Sequence, residues 1–138
     1  MSNLSAFMNP LYTEKTAEII VSDRFVNENG EPVPFVVKSL SHKDFESIRK
    51  RSYKEVMING KKNQVVDNDL FFARLIVESC IDPDFHNKEL CNRWGCEEAI
   101  SCPPNMLLEG EIQKLGKAIL SLNGIDEDSP EMGIVSKK

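Results

Sequence analysis

The sequence predicts an α+β fold, mainly α: an N-terminal β-hairpin packed on a small bundle of helices around one central buried helix, at about residues 67–82. Three observations predict it. The stretch from Asp67 to Pro83 is apolar nearly all round, and a helix of that kind is buried. A β-branched run at Ile19, Ile20 and Val21 faces Val33, Phe35, Val36 and Val37 across Asn29-Gly30, a pair that tolerates the positive φ of a tight hairpin turn. Leu108, Ile112, Leu115, Ile119 and Leu122 repeat in steps of four and three, the narrow apolar stripe of a helix paired with another.

Each element has its own grounds. Leu4, Phe7, Met8 and Leu11 fall at helical spacing, with Ser2 or Asn3 placed to cap and Asn9-Pro10 cutting the helix short. Two outcomes fit: a short helix docked on the core, or an exposed amphipathic arm that meets a partner through Leu4, Phe7 and Met8. The hairpin is expected from Thr16 to Leu40, with Phe25 and Val26 on its first half. Pro32 and Pro34 cannot donate to a ladder, so that end is expected at a sheet edge. Two strands alone are marginal in water, so the hairpin must lie on the helices.

Ser41 is placed to cap the next helix through the Asp44 amide, with Leu40 and Phe45 as its hydrophobic staple. The predicted helix runs to about Val56. Phe45, Ile48, Ser52 and Val56 face inward; Lys43, Arg49, Lys50, Arg51 and Lys54 face outward. Met57 to Val66, with a second Asn-Gly at Asn59-Gly60, is a loop or a short hairpin. Asp67 or Asn68 caps the central helix, Asp69 meets the positive end of its dipole, and Pro83 stops it at Asp82. Its polar stripe is only Arg74, Glu78, Ser79 and Asp82.

Asn87 caps a short helix carrying Leu90, Cys91 and Trp94, which Gly95 closes. Another turn is expected over Glu97 to Ile100, after which Pro103-Pro104 breaks the chain. The last helix is predicted from Asn105 through Leu122, stopped by Asn123-Gly124, with Gly110 and Gly116 present for close packing. On size, residues 1–125 form one globular domain: an arm over 1–15, the hairpin over 16–40 and a helical part over 41–125. Residues 126–138 are an acidic, then polar, flexible tail.

A chain of 138 residues with net charge -5 can bury a real core and has no general attraction for nucleic acid or anionic membrane. Its first ten residues carry no basic residue and no long apolar run, so a secretory signal is not expected. No stretch is long enough to span a bilayer. The expected home is the cytoplasm, with the four cysteines reduced. The charge is uneven, however. Lys43 to Lys62 holds seven Lys or Arg against Asp44, Glu46 and Glu55, or +4, which leaves -9 for the remainder. That segment reads as a solvated face, as a surface for a protein partner, or as a basic helix of a small nucleic-acid-binding regulator. Apart from Tyr53, no aromatic is interleaved to stack a base.

Cys80, Cys91, Cys96 and Cys102, with His86 among them, raise a zinc-stabilised structural module as an alternative. Their gaps of ten, four and five residues lack the close ligand pairs of strong zinc sites. The expectation is therefore no metal and no cofactor, with the cysteines packing as small hydrophobes. His42 and His86 are the only histidines, and neither sits in a nucleophile elbow, a metal-binding helix motif or a phosphate loop. Glu109 and Glu111 do not share a helix face. No catalytic residue can be nominated, and no enzyme is expected.

The opening Met1-Ser2-Asn3-Leu4-Ser5-Ala6-Phe7 and the strand pair before Leu40-Ser41 carry a resemblance. So do Asp82-Pro83-Asp84-Phe85, Asn87-Lys88-Glu89-Leu90, Met106-Leu107-Leu108-Glu109-Gly110-Glu111-Ile112, Leu115 and Asn123-Gly124. In this order and spacing, from Ser2 to about Ile125, the chain resembles the XkdN-like tail assembly chaperones of phages and prophages in Gram-positive bacteria. The resemblance implies a small non-enzymatic protein of the host cytoplasm, absent from the mature virion. It implies binding to the tape measure protein while tail tube subunits, a further candidate partner, assemble around it; self-association is left open. In many such genes it also implies a longer product made by ribosomal frameshifting. On that basis the candidate partner-binding residues are Leu4, Phe7 and Met8 of the arm. Arg49, Lys50 and Lys54 join them as a basic face that steers an acidic partner.

Overall fold

The core is built on the helix the sequence marks most strongly. In the computed structural model, which describes residues 3–125, Asp67 caps that helix by accepting from the Leu70 amide at 3.2 Å. It runs Asn68–Ser79, and Phe71, Phe72, Ala73, Leu75, Ile76, Val77 and Ser79 are all buried. Its neighbours surround it: the helix His42–Lys50 on one side, Glu109–Leu122 on another, and the short Cys102–Met106 helix with the 3-10 turn Ala99–Ser101 between.

In chain order the elements are α1 (Leu4–Met8), β1 (Thr16–Ile19), β2 (Phe35–Lys38), α2 (His42–Lys50), β3 (Tyr53–Ile58), β4 (Lys61–Val66), α3 (Asn68–Ser79), β5 (Cys80–Asp82), α4 (Lys88–Arg93), the 3-10 turn, α5 (Cys102–Met106) and α6 (Glu109–Leu122). The fold is α+β and mainly α, with the N-terminal strand pair on a helical body around α3. β1 and β2 pair antiparallel, Thr16 opposite Lys38 and Ile19 opposite Phe35. Alternation sets the layers: Phe35 and Val37 are buried, while Val36 and Lys38 are only partly covered. α6 packs on β1 and β2.

Several expectations need correction. The central helix ends three residues before Asp82. Cys80–Asp82 turns into β5, which pairs with β2, leaving Ile81 exposed. β2 is therefore the middle strand of three, not an edge, and Pro32 and Pro34 stand before its paired segment. The first half of the hairpin is short: Val26 meets Pro32 only through an isolated bridge, and Phe25 packs edge-on against Phe35. Ser79 is buried, not part of a polar stripe.

α2 stops at Lys50 instead of Val56. The Ser52 hydroxyl donates back to the Ile48 carbonyl at 2.6 Å, and its own carbonyl accepts from the Asp67 amide at 2.7 Å. Past it, Tyr53 to Ile58 alternates as a strand and pairs with β4 across Asn59-Gly60, both with positive φ. Val56 thus lies on a ribbon, not on a helix face.

Pro103 and Pro104 do not break the chain. They occupy the first turn of α5, where a missing amide proton costs nothing. α6 begins at Glu109 instead of Asn105, and its N-cap Leu108 is exposed; Leu115 and Ile119 of the apolar stripe are fully buried, with Ile112 and Leu122 partly so. Of the two glycines, only Gly116 is closely packed. A Cβ there would lie 2.8 Å from the Phe72 ring, whereas Gly110 faces open space. Asn123 ties the end of α6 to the start of α2, accepting from the Leu40 amide at 2.7 Å and donating to the Ile119 carbonyl at 2.8 Å. The tail expected over 126–138 lies outside the described residues.

Candidate interaction surfaces

The arm carries the largest exposed apolar groups. Three of the four residues at helical spacing, Leu4, Phe7 and Met8, lie in α1, a helix of five residues that Asn9 ends, its amide and side chain both donating to the Ser5 carbonyl. None of its residues is buried, so docking on the core is overturned in favour of the exposed arm. Phe7 is 81% exposed and Leu11, just beyond the helix, fully so; Leu4, Met8 and Tyr12 are also exposed. Such side chains in one short segment are what a partner's apolar surface would cover.

The three basic candidates do not share one face. Arg49 is half-buried, stacked over Phe45 at 5.4 Å and paired with Glu46 at 2.7 Å. Lys50 is exposed at the end of α2, in a shallow groove with His42, Lys43, Glu46, Ser47 and Arg51. Lys54 stands further on, exposed on β3. The expected basic helix over 43–62 is thus a nine-residue helix followed by a ribbon.

The strongest ion pair in the body was not legible in the sequence. Arg24, on the loop after β1, forks onto Glu111 of α6. Its Nε donates to Oε2 at 2.9 Å and its Nη2 to Oε1 at 2.6 Å, while Nη2 also donates to the Met106 carbonyl. Glu111 is buried and further accepts from the Leu108 amide at 2.8 Å, closing the first turn of α6. The Arg24 fork holds the Glu111 carboxyl at about 2, well below its ordinary value, with the Leu108 amide assisting. A carboxyl depressed by folding stabilises the fold above its unfolded pKa, and that contribution is lost as pH falls toward its folded pKa. Glu111→Gln is therefore expected to melt below the parent at pH 7. The gap should narrow between about pH 4.5 and 2. Thermal melts of both proteins across that range check it; a gap that stays constant or widens would rule out the pair as its origin.

The cysteines come together more than their spacing suggests. Gly95, with φ of +69°, closes α4 in a Schellman motif. The Cys96 amide donates to the Cys91 carbonyl at 2.8 Å and Gly95 to that of Asn92 at 3.2 Å. That motif brings Cys91 and Cys96 near each other, and Cys102 of α5 lies close to both. Burial pushes the Cys102 thiol up to about 12, its two cysteine neighbours adding to the effect; burial and then Asp82 push Cys80 up to about 12. These two thiols stay protonated at neutral pH and are poor nucleophiles. Among the described residues no group of three or more His, Cys, Asp or Glu is arranged to hold a metal ion. His42 and His86 are both exposed. A groove between α3, α5 and α6, lined by Asp69, Ala73, Pro104, Leu107, Glu109 and Ile112, is apolar with two carboxylates at its edge. No helix among the described residues is long and apolar enough to cross a membrane.

The chain is thus an α+β body with buried thiols, an exposed apolar arm and a two-stranded ribbon. The family described as phage XkdN-like tail assembly chaperone protein matches residues 4–135, so the chain belongs to that family. Among its relatives in Bacillus subtilis strain 168, the phage-like element PBSX protein XkdN is 29% identical over 135 residues, covering 94% of this chain and 90% of the relative. The uncharacterized protein YqbN of the same strain is 29% identical over 139 residues, covering 98% and 93%. The crystal structure of YqbN superposes with a TM-score of 0.72 at 25% identity, over 91% of this chain and 99% of that one.

Proposed function

We propose that this tail assembly chaperone binds the tape measure protein in the host cytoplasm and keeps it in solution while tail tube subunits assemble around it. On this proposal it is a binding protein without turnover and leaves before the virion is complete. The observation that carries the proposal is the exposed arm, read within a family whose members assist tail assembly. A long helical partner with apolar patches would self-associate in water. A small protein that offers Phe7, Met8 and Leu11 on a short arm, and charge elsewhere, can cover such patches and stay soluble itself. Lys50 and Lys54 would steer an acidic stretch of the partner toward it.

The test is co-expression with the tape measure gene of the same phage or prophage. The expected outcome is a tape measure protein that moves from the pellet to the soluble fraction and co-purifies with the chain. A tape measure protein that remains in the pellet would count against the proposal.

A further inference from the structure

Among the described residues β3 and β4 form a ribbon that pairs with no other strand, and no other described element packs broadly on it. A two-stranded ribbon alone is marginal in water; a helix laid across one face is among the simplest ways to complete it. The register sorts its side chains. Lys54, Val56 and Ile58 share one face with Lys61, Asn63 and Val65. The other face holds Tyr53, Glu55, Met57, Lys62, Gln64 and Val66; Val66 packs on the core, and Glu55 and Lys62 meet each other at 3.8 Å, so its charges compensate. On the first face Lys54 and Lys61 have no ion-pair partner among the described residues, and no acid lies on it. It is an apolar strip of Val56, Ile58 and Val65 rimmed by uncompensated positive charge.

We propose that this face seats an amphipathic helix of the partner, with an apolar stripe bordered by Asp or Glu. The charge selects that occupant: uncompensated lysines beside apolar groups favour a carboxylate-flanked stripe and disfavour a basic one. The size agrees. Six-residue strands at about 3.3 Å per residue span about 20 Å, the length of about 13 residues of helix at about 1.5 Å each. This places a second contact on the partner beside the arm, and it rests on the proposal that the partner is the tape measure protein.

The full chain and three variants are titrated against the purified tape measure protein at low and moderate salt. Lys54→Glu with Lys61→Glu reverses the rim; Ile58→Ser removes the face's exposed apolar side chain, at the tip of the ribbon; Lys88→Glu with Lys114→Glu makes the same change of net charge elsewhere. The first variant is expected to lose about tenfold or more in affinity, because it sets like charges against the partner. The second should also weaken binding, and the third should change it by less than about twofold. Amide exchange in β3 and β4 should slow in the complex formed by the parent chain. Parent-level affinity in both ribbon variants overturns the ribbon site while leaving the tape measure proposal standing. Equal weakening by the Lys88 and Lys114 control overturns it as well, since net charge alone would then explain the loss. A parent chain that binds no tape measure protein overturns both proposals. Self-association of the parent that the ribbon variants abolish, with tape measure binding unchanged, assigns the face to a second copy and overturns the helix.

Discussion

Phe71→Ala should lower stability by about 3–5 kcal/mol, the range for removing a fully buried aromatic ring and leaving a cavity. Phe71 has no exposed surface and stands edge-on to Phe45 of α2 at 5.7 Å, with Phe72 beside it at 6.2 Å. Its loss separates α3 from α2 as well as emptying the centre. Edge-to-face pairs contribute about 0.5–1.5 kcal/mol beyond the area they bury, so the upper half of the range is expected. Against an ordinary total of about 5–15 kcal/mol this is a large fraction, and Tm should fall by about 10–20 °C. Thermal and urea melts of the parent and variant measure it. A loss below about 1 kcal/mol would contradict α3 as the element that organises the core.

The arm should behave in the opposite way. Phe7→Asp with Leu11→Asp should leave the melting temperature nearly unchanged, because neither side chain is buried. The same pair should weaken tape measure binding by about thirtyfold or more, the effect of removing exposed apolar anchors that become buried only in the complex. Together with Phe71→Ala the two experiments separate folding from binding on one chain: a core change that alters stability, and an arm change that alters only affinity. A double variant that binds as the parent does would remove the arm from the interface. One that unfolds would show that the arm belongs to the core.

Local signals made much of the fold legible. Ser41, Asp67 and Asn87 each cap the helix the sequence assigned to them, since capping needs only a side-chain oxygen and an amide three residues on. Asn59-Gly60 marked a turn for the same local reason. What the sequence concealed depends on distant partners. β5 follows α3 without a break, and only β2 beside it turns Cys80–Asp82 into a strand. Arg24 and Glu111 are 87 positions apart, and neither side chain has a local pattern that announces the other. The end of α2 is ambiguous in the sequence because Phe45, Ile48, Ser52 and Val56 satisfy helical spacing, while Tyr53 to Ile58 also alternates as a strand. The hairpin at Asn59-Gly60 decides between them.

The candidate surfaces were legible in part. Leu4, Phe7 and Met8 are visible as a stripe in the sequence, but only the structure shows that they stand exposed instead of docked in the core. Lys54 was assigned to a helix with Arg49 and Lys50, and the ribbon separates it from both. Its real neighbour across the strands is Val65, with Lys61 and Ile58 on the same face. The proximity of Cys91, Cys96 and Cys102 was hidden because a Schellman turn and a change of helix bring them together, neither of which spacing alone encodes.

The central claim is that this chaperone's exposed apolar arm and ribbon exist to hold another protein in solution. Sedimentation velocity of the purified chain mixed with the tape measure protein tests it most directly. The expected result is one faster boundary containing both proteins, lost when Phe7 and Leu11 are replaced by aspartate. Two separate boundaries at every ratio, with the tape measure protein aggregating as it does alone, would contradict the claim.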